Sequence, residues 1–255
     1  KRKHSILYRI AADLHTHTLV SNHAFNTITE MARAAKEMGY CALAVTDHGP
    51  AMPDSPHIWY FYNVRRLPDV LEGIPVLKGA EANVMDVNGT LDLPAEVLNG
   101  LDWVIASIHT DCLPGTLTVE QATDLWLKVA ENPAVDMIGH SEQARHVYDY
   151  ERVTKVFAER HKVVELNGNS WAVRPEGAGN MKALALACKK AGCPVALNSD
   201  AHSIYQMQAG VGHLVRLLEE IDFPEELVVN SSPRRLLEEL KLHNKPVVER
   251  IGGTL

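Results

Sequence analysis

No apolar run in this 255-residue chain approaches the roughly 20 residues that a membrane span needs. No Gly-x-Gly-x-x-Gly, Walker A or Gly-x-Ser-x-Gly pattern occurs, which removes the usual signatures of a nucleotide cofactor and a serine nucleophile. Basic residues are outnumbered, 25 Lys and Arg against 32 Asp and Glu, for a net charge of −7. Backbone binding of a polynucleotide needs clustered cations, so nucleic acid is a poor fit unless bound metal supplies the charge. The four cysteines, Cys41, Cys112, Cys188 and Cys193, form no Cys-x-x-Cys pair and fit no zinc ribbon. They read as reduced, mostly core residues of a cytoplasmic protein. The opening residues KRKHSILYRI combine basic residues with a short apolar run but lack a small-residue cleavage site, so they do not read as a signal peptide. Phenylalanine is scarce, with four residues, whereas histidine reaches thirteen.

What is present is alternation. Seven short apolar runs, at 6–14, 41–46, 74–83, 101–109, 134–140, 162–169 and 194–202, are each followed by a helical pattern or a long loop. Thr27 with Glu30 makes a capping box for a helix ending near Gly39, and a second helix reaches about Arg66, before Pro68. Asn88-Gly89 signals a hairpin. Further helices are expected near 118–131, 149–161, 179–191 and 206–220, with a short ELVVN run before a last helix at SPRRLLEELKL. Ser232 caps that helix, Pro233 opens it, and it is expected to close the molecule as a terminal helix. The pattern predicts an α/β fold of parallel strands with covering helices, one domain spanning residues 1–255. An open sheet would also alternate; a barrel is favoured by what stands at the strand ends.

Run one leads to Asp13, His15, His17 and, six residues on, His23; run two to Asp47 and His48. Runs three, four and five close on Glu81, His109 and His140. Run six ends at Glu165 and Asn167, run seven at Asp200 and His202. In a (β/α) barrel the C-terminal ends of all strands converge on one site. Residues i and i+2 of a strand share a face, so His15 and His17 are expected to face the mouth while Leu14 packs away. Imidazole and carboxylate are ligands for zinc, manganese and iron. Seven histidines and two carboxylates are too many for one four-coordinate ion, so two to three divalent ions are expected, with Glu81 as the bridge. A centre of that kind supplies an activated water for hydrolysis.

The stretches DLHTHT, TDHG, GAEAN, IASIH, GHSEQ and NSDAH resemble the metal-binding motifs of the PHP (polymerase and histidinol phosphatase) superfamily. DLHTHTLVSNHA and GPAMPDSPHIWYFYNVR resemble its YcdX-like phosphatase branch. The resemblance runs from about residue 10 to 240. It implies a distorted (β/α)7 TIM-like barrel with a trinuclear metal centre. One ion would be held by His15, His17, Glu81 and Asp200, a second by Glu81, His109 and His140, and a third by His23, His48 and His202. The branch commonly carries His-Pro-x-Asn-Pro at the fifth strand; here the residues are His140-Ser141-Glu142-Gln143-Ala144, without either proline.

The expected activity is hydrolysis of a small phosphate monoester, with Glu81, Asp200 and His202 as catalytic residues. Arg65, His57, Asn167 and Ser170 are candidates for substrate contact, and Arg174 a weaker one. Asp47 is expected to orient an imidazole, and Asp13 to do the same or to cap a turn. The loop after His109 has no basic residue, and Asp111 and Glu142 would repel phosphates beyond the centre. Expected partners are therefore a small phosphorylated metabolite, with no nucleic acid and no membrane; homo-oligomerisation is left open. Zinc is the first choice of metal, manganese or iron the next. The competing readings are a PHP-type exonuclease or phosphodiesterase, and a non-catalytic metal-binding regulatory domain.

Overall fold

The computed structural model describes residues 9–255; the reading of the first residues against a signal peptide, and the start of run one, lie outside it. The strands are β1 (Ala12–Asp13), β2 (Ala42–Val45), β3 (Val70–Leu71), β4 (Ile74–Asn83), β5 (Trp103–Ser107), β6 (Met137–Ile138), β7 (Val163–Asn167) and β8 (Val195–Asn198). Seven of them run parallel in the order β1-β2-β4-β5-β6-β7-β8, and β3 pairs antiparallel with β4. The helices are α1 (Ile28–Glu37), α2 (Trp59–Asn63), α3 (Ala95–Leu98), α4 (Val119–Ala130), α5 (Tyr150–Glu159), α6 (Ser170–Val173), α7 (Pro175–Ala178), α8 (Met181–Ala191), α9 (Val211–Glu220), α10 (Pro233–Leu242) and α11 (Val247–Ile251). The capping box at Thr27 and Glu30 forms, as does a second at Thr118 and Gln121. The Asn88-Gly89 turn joins a hairpin reduced to one bridge, Val84 to Leu91. Among the described residues no helix is long and apolar enough to cross a membrane.

Period-two alternation decides what lies inside. Ala42 and Ala44 join Ala12, Leu77, Trp103, Ile105, Met137, Val163 and Ala196 in the barrel interior, while Leu43 and Val45 pack outward on α1. Val164, Leu166, Val195 and Leu197 likewise face outward, onto α5 and α8. Continuing the inward parity along β4, β7 and β8 brings Glu81, Glu165 and Asn198 to the upper end of the interior. The barrel therefore has an apolar floor and a polar top.

Seven strands leave a seam between β8 and β1, and asparagine side chains close it. Asn230 Nδ2 donates to Ala12 O at 2.8 Å and Leu197 O at 2.7 Å, and its Oδ1 accepts from Leu197 N at 3.2 Å. Higher up, Asn198 Oδ1 accepts from Leu14 N at 3.0 Å, and Thr16 bridges to Ala201. The ELVVN run is thus a wedge rather than a full strand, with Val228 bridging Val195.

At the opposite end, α10 and α11 close the floor by adding Leu236, Leu240, Val247 and Ile251 to the interior cluster. Asp136, just before β6, accepts from Val104 N and lies 2.9 Å from His243 Nδ1 and 2.6 Å from Lys245 Nζ. His243 also meets Glu239, which pairs with Arg235. Burial disfavours the imidazolium, but Asp136 and Glu239 outweigh it and raise the His243 pKa above 6.5. A proton held more tightly in the folded chain stabilises it fully below the unfolded pKa, and that gain is lost as pH rises through the folded pKa. We expect His243→Gln to lower the melting temperature at about pH 6, with the gap to wild type narrowing toward about pH 9. A gap independent of pH would show that His243 carries no charge here.

Candidate functional site

All nine expected ligand residues meet at the polar top of the barrel. Leu14 does not pack away as expected: it joins Ala12 in the interior. The chain bends after β1 instead. Asp13 accepts from His15 N and from Ser199, which turns both His15 and His17 toward Glu81. Burial pushes the Asp13 carboxyl up to about 6. Four atoms then form a cage. His15 Nε2 lies 3.1 Å from His17 Nε2, 3.4 Å from Glu81 Oε2 and 3.5 Å from Asp200 Oδ1. His17 Nε2 lies 3.5 Å from Glu81 Oε2 and 3.2 Å from Asp200 Oδ1. These five separations link four donor atoms, of which those of His15, His17 and Glu81 form a mutually close trio.

The second oxygen of Glu81 faces a different pair, with Oε1 2.8 Å from His140 Nε2 and 3.4 Å from His109 Nε2. Above the cage the imidazoles stack, at centroid distances of 4.2 Å for His17–His48 and His17–His202, and 4.5 Å for His23–His202. Nitrogens of His17, His48 and His202 come together more closely than those of the anticipated trio, because His23 stands at the half-exposed rim. His140 and Asp200 both adopt positive φ, 28° and 53°, the strained left-handed region that turns a chain sharply at a strand end.

The hydrogen bonds behind the rings set which nitrogen is free. Proton positions follow from the partners. His15 Nδ1 faces Glu165 Oε1 at 2.7 Å and His23 Nδ1 faces Asp54 Oδ2 at 2.6 Å. His109 Nδ1 faces Asn83 Oδ1 at 2.7 Å, and His202 Nδ1 faces Asp200 O at 3.0 Å. Each partner is an oxygen acceptor, so each ring donates from Nδ1 and directs Nε2 into the site. Two buried nitrogens, His17 Nδ1 and His202 Nε2, have no hydrogen-bond partner among the described residues, and His48 Nδ1 faces Glu81 Oε2 at 2.8 Å without a well-aligned hydrogen bond. Such atoms ordinarily find partners.

The charges are strongly coupled. Burial alone would raise the Glu81 and Asp200 carboxyls, but His15, with the other histidines, holds both well below the usual range. Burial opposes charge on His15, yet Glu165, Glu81 and Asp200 raise its pKa well above 6.5. His17 is lowered well below 6.5 by burial and by its neighbours His202 and His48. Burial, then Arg174, takes His140 down to about 4.

The candidates for substrate contact fare differently. Arg65 is carried away by the turn after α2 and packs at Gly100, before the start of β5 and on the far side from the mouth. His57 is exposed and accepts from Trp59 N at the start of α2. Asn167 and Ser170 are fully buried. Asn167 donates to Glu165 and Asp200, and Ser170 donates to Glu142, so both brace the site from behind. Asp47 orients no imidazole; it accepts from Thr18, Ser21 and Tyr60 and pins the loop leading to His23. Asp13 caps a turn, as one of its two readings held. Glu142 presents no charge to the mouth, being buried against Ser170, and burial pushes it up to about 7. Its loop is held without prolines, by Ser141 to Tyr148 at 2.8 Å and Asn180 to Glu142 O at 2.9 Å.

Arg174 is a basic residue shared by both cavities at the mouth. It donates to Asp200 Oδ2 at 3.1 Å and to Ser170 Oγ at 3.4 Å. It lies at the fork between two cavities. One, about 310 Å³, is walled by His23, Phe25, Met52 and His202; the other, about 240 Å³, by Thr110, Gln143, Arg145 and Glu176. Both include His109 and Val173 as well. Glu165 was visible as a strand-end residue but not as a site residue. Its inward parity with Val163 was the signal.

The PHP domain model matches residues 13–169. A probable phosphatase of Caldanaerobacter subterraneus subsp. tengcongensis is 41% identical over 246 residues, covering 96% of this chain and 95% of the relative. A probable phosphatase of Acetivibrio thermocellus is 40% identical over 233 residues, with 91% and 96% covered. Among solved structures, histidinol phosphate phosphatase from Lactococcus lactis, complexed with zinc, L-histidinol and phosphate, superposes with a TM-score of 0.62 at 17% identity. It covers 84% of this chain and 94% of that one. At that identity the likeness speaks for the barrel fold.

Proposed function

Because the chain belongs to the PHP domain family, we propose that it is a metal-dependent phosphatase that hydrolyses a small phosphate monoester at a centre of two to three divalent ions. The four-atom cage carries this reading. Ligands of a tetrahedral zinc at about 2.0–2.2 Å stand about 3.3 Å apart, and the five separations among His15, His17, Glu81 and Asp200, 3.1–3.5 Å, bracket that value. The unpartnered buried nitrogens of His17 and His202 give the fit a second support. His15, His17, Glu81 and Asp200 would hold one ion, and His23, His48 and His202 another. Glu81 would share its other oxygen with His109 and His140. The mixed nitrogen and oxygen donors suit zinc, manganese or iron.

Bound ions of this kind lower the pKa of a water and take up charge on phosphate oxygens. The chain's own part is positional. Arg174 stands beside Asp200 and offers guanidinium N–H groups to a phosphate at the mouth. Glu81 and Asp200 stay ionised, so both act as holding groups, and neither stores a proton for the leaving oxygen. Phe25, Met52 and Val173 line the cleft beside the imidazoles, leaving room for a compact leaving group.

The test compares metal content by elemental analysis with kcat/KM for para-nitrophenyl phosphate, its bis-ester and a short single-stranded DNA, all at one metal loading. We expect two to three ions per chain and a clear preference for the monoester. Preference for the diester or DNA would move the protein to the nuclease side of the family, and one ion or none would overturn the multi-ion centre.

A further inference from the structure

His140 is the exception among the site histidines whose Nδ1 is hydrogen-bonded. The rings of His15, His23, His109 and His202 each turn Nδ1 toward an oxygen acceptor. His140 Nδ1 instead lies 2.9 Å from the amide nitrogen of Gln143. The same nitrogen lies 2.8 Å from the carbonyl oxygen of Ile108, which only accepts. Turning the amide over would set two oxygens against each other at that distance, so the nitrogen must stay where it is. Its two hydrogens then go to Ile108 O and to His140 Nδ1. A ring that accepts at Nδ1 carries its proton on Nε2, and Nε2 points at Glu81 Oε1, 2.8 Å away. The relay is continuous, with every donor matched to an acceptor, and it uses the lone pair that an ion at Nε2 would leave unneeded while blocking the one it would need.

We propose that Gln143 is a positioning residue that fixes His140 as a hydrogen-bond donor to Glu81, so that the position between Glu81, His109 and His140 fills last and empties first. This rests on the metal-centre reading above. For His140 to ligate, the proton must move from Nε2 to Nδ1, and Gln143 must then turn its oxygen toward the ring and give up Ile108. That exchange of one buried hydrogen bond separates the His140 position from the cage, where the Nδ1–H of His15 already has an oxygen acceptor and only Nε2 faces inward.

The experiment has two arms. In metal-free protein with ¹⁵N-labelled histidine, NMR reports the tautomer of each ring, with His140 assigned by loss of its signals in His140→Gln. We expect the proton on Nε2 for His140 and on Nδ1 for His109 and His202. In Gln143→Leu, and in Gln143→Asn, which is one methylene too short to span both acceptors, His140 should shift toward the Nδ1-protonated form. Calorimetric titration with zinc should then show the weakest class of sites tightening at least tenfold in both variants, the tighter classes staying unchanged. A wild-type His140 protonated on Nδ1, or a weakest class indifferent to Gln143, overturns the proposal. A chain that binds no zinc yet shows the expected tautomers would overturn the metal-centre reading while upholding the role of Gln143 in setting the ring.

Discussion

Glu81→Gln is expected to remove at least one ion from the centre and to lower kcat/KM for a phosphate monoester about 10³-fold, equivalent to about 4 kcal/mol of transition-state stabilisation. The reason lies in what its two oxygens face. Oε2 is a corner of the cage with His15, His17 and Asp200, and Oε1 faces His109 and His140. An amide keeps one oxygen and replaces the other with a donor. Turned one way, its NH₂ enters the cage; turned the other, it opposes the Nε2–H of His140. Either way one ligand position is lost, together with a negative charge that balances several cations. The fold should tolerate the change, since Gln is isosteric and its neighbours His48 and His15 can accept from it. His57→Ala, at an exposed position before α2, is the control and should leave kcat/KM within about twofold. The measurements are elemental analysis, kcat/KM and melting temperature on the same preparations. Full occupancy and turnover in the Gln variant would show that Glu81 bridges nothing.

How far the site could be read from the chain depended on distance along it. The inward parity of β4, β5 and β8 is a two-residue rule, so Glu81, His109 and Asp200 could be placed from their own neighbours. His15 and His17 were placed correctly for a partly wrong reason. Leu14 stays in the interior, and it is the Asp13 turn, not strand alternation, that brings both rings inward. Arg65 and His57 failed because motif proximity says nothing about which end of a barrel a connecting helix leads to. The seam and the relay behind His140 were illegible for a different cause. Asn230 acts on β1 from 218 residues away, and Glu165 on His15 from 150. No local pattern encodes such partners. The same holds for Gln143. The change from the common loop pattern was visible, but its consequence depends on a carbonyl of the β5 exit 35 residues earlier.

Glu165→Gln is expected to fold, to melt lower, and to lose the ion of the cage. Glu165 is wholly buried and accepts four hydrogen bonds. Oε1 takes His15 Nδ1 at 2.7 Å and Asn198 Nδ2 at 3.0 Å; Oε2 takes His140 N at 2.9 Å and Asn167 Nδ2 at 3.0 Å. Burial would raise this carboxyl, but His15 holds it below its usual value. A glutamine must point NH₂ at one of these pairs. Facing His140 N and Asn167, it meets two donors that cannot become acceptors where they stand, each orphaned at about 1–3 kcal/mol. Facing His15 and Asn198, it meets one fixed donor and one ring that can adapt by giving up its Nδ1 proton and keeping the one on Nε2. The second orientation costs less, so the amide should take it. His15 then presents Nε2–H to His17, Glu81 and Asp200, and the cage has three usable corners. The stability loss should be about 1–3 kcal/mol, while Glu165→Ala, which orphans all four donors, should cost more and threaten a stability of only about 5–15 kcal/mol. Activity of the Gln variant should fall by up to about 10²-fold, the upper scale for losing a partner that orients a ligand. Three readings on one preparation decide it: melting temperature, bound metal, and the ¹⁵N shifts of His15. A variant with wild-type metal content and the His15 proton still on Nδ1 would mean that the amide chose the costlier face, and that Glu165 supports the barrel without setting the ligand.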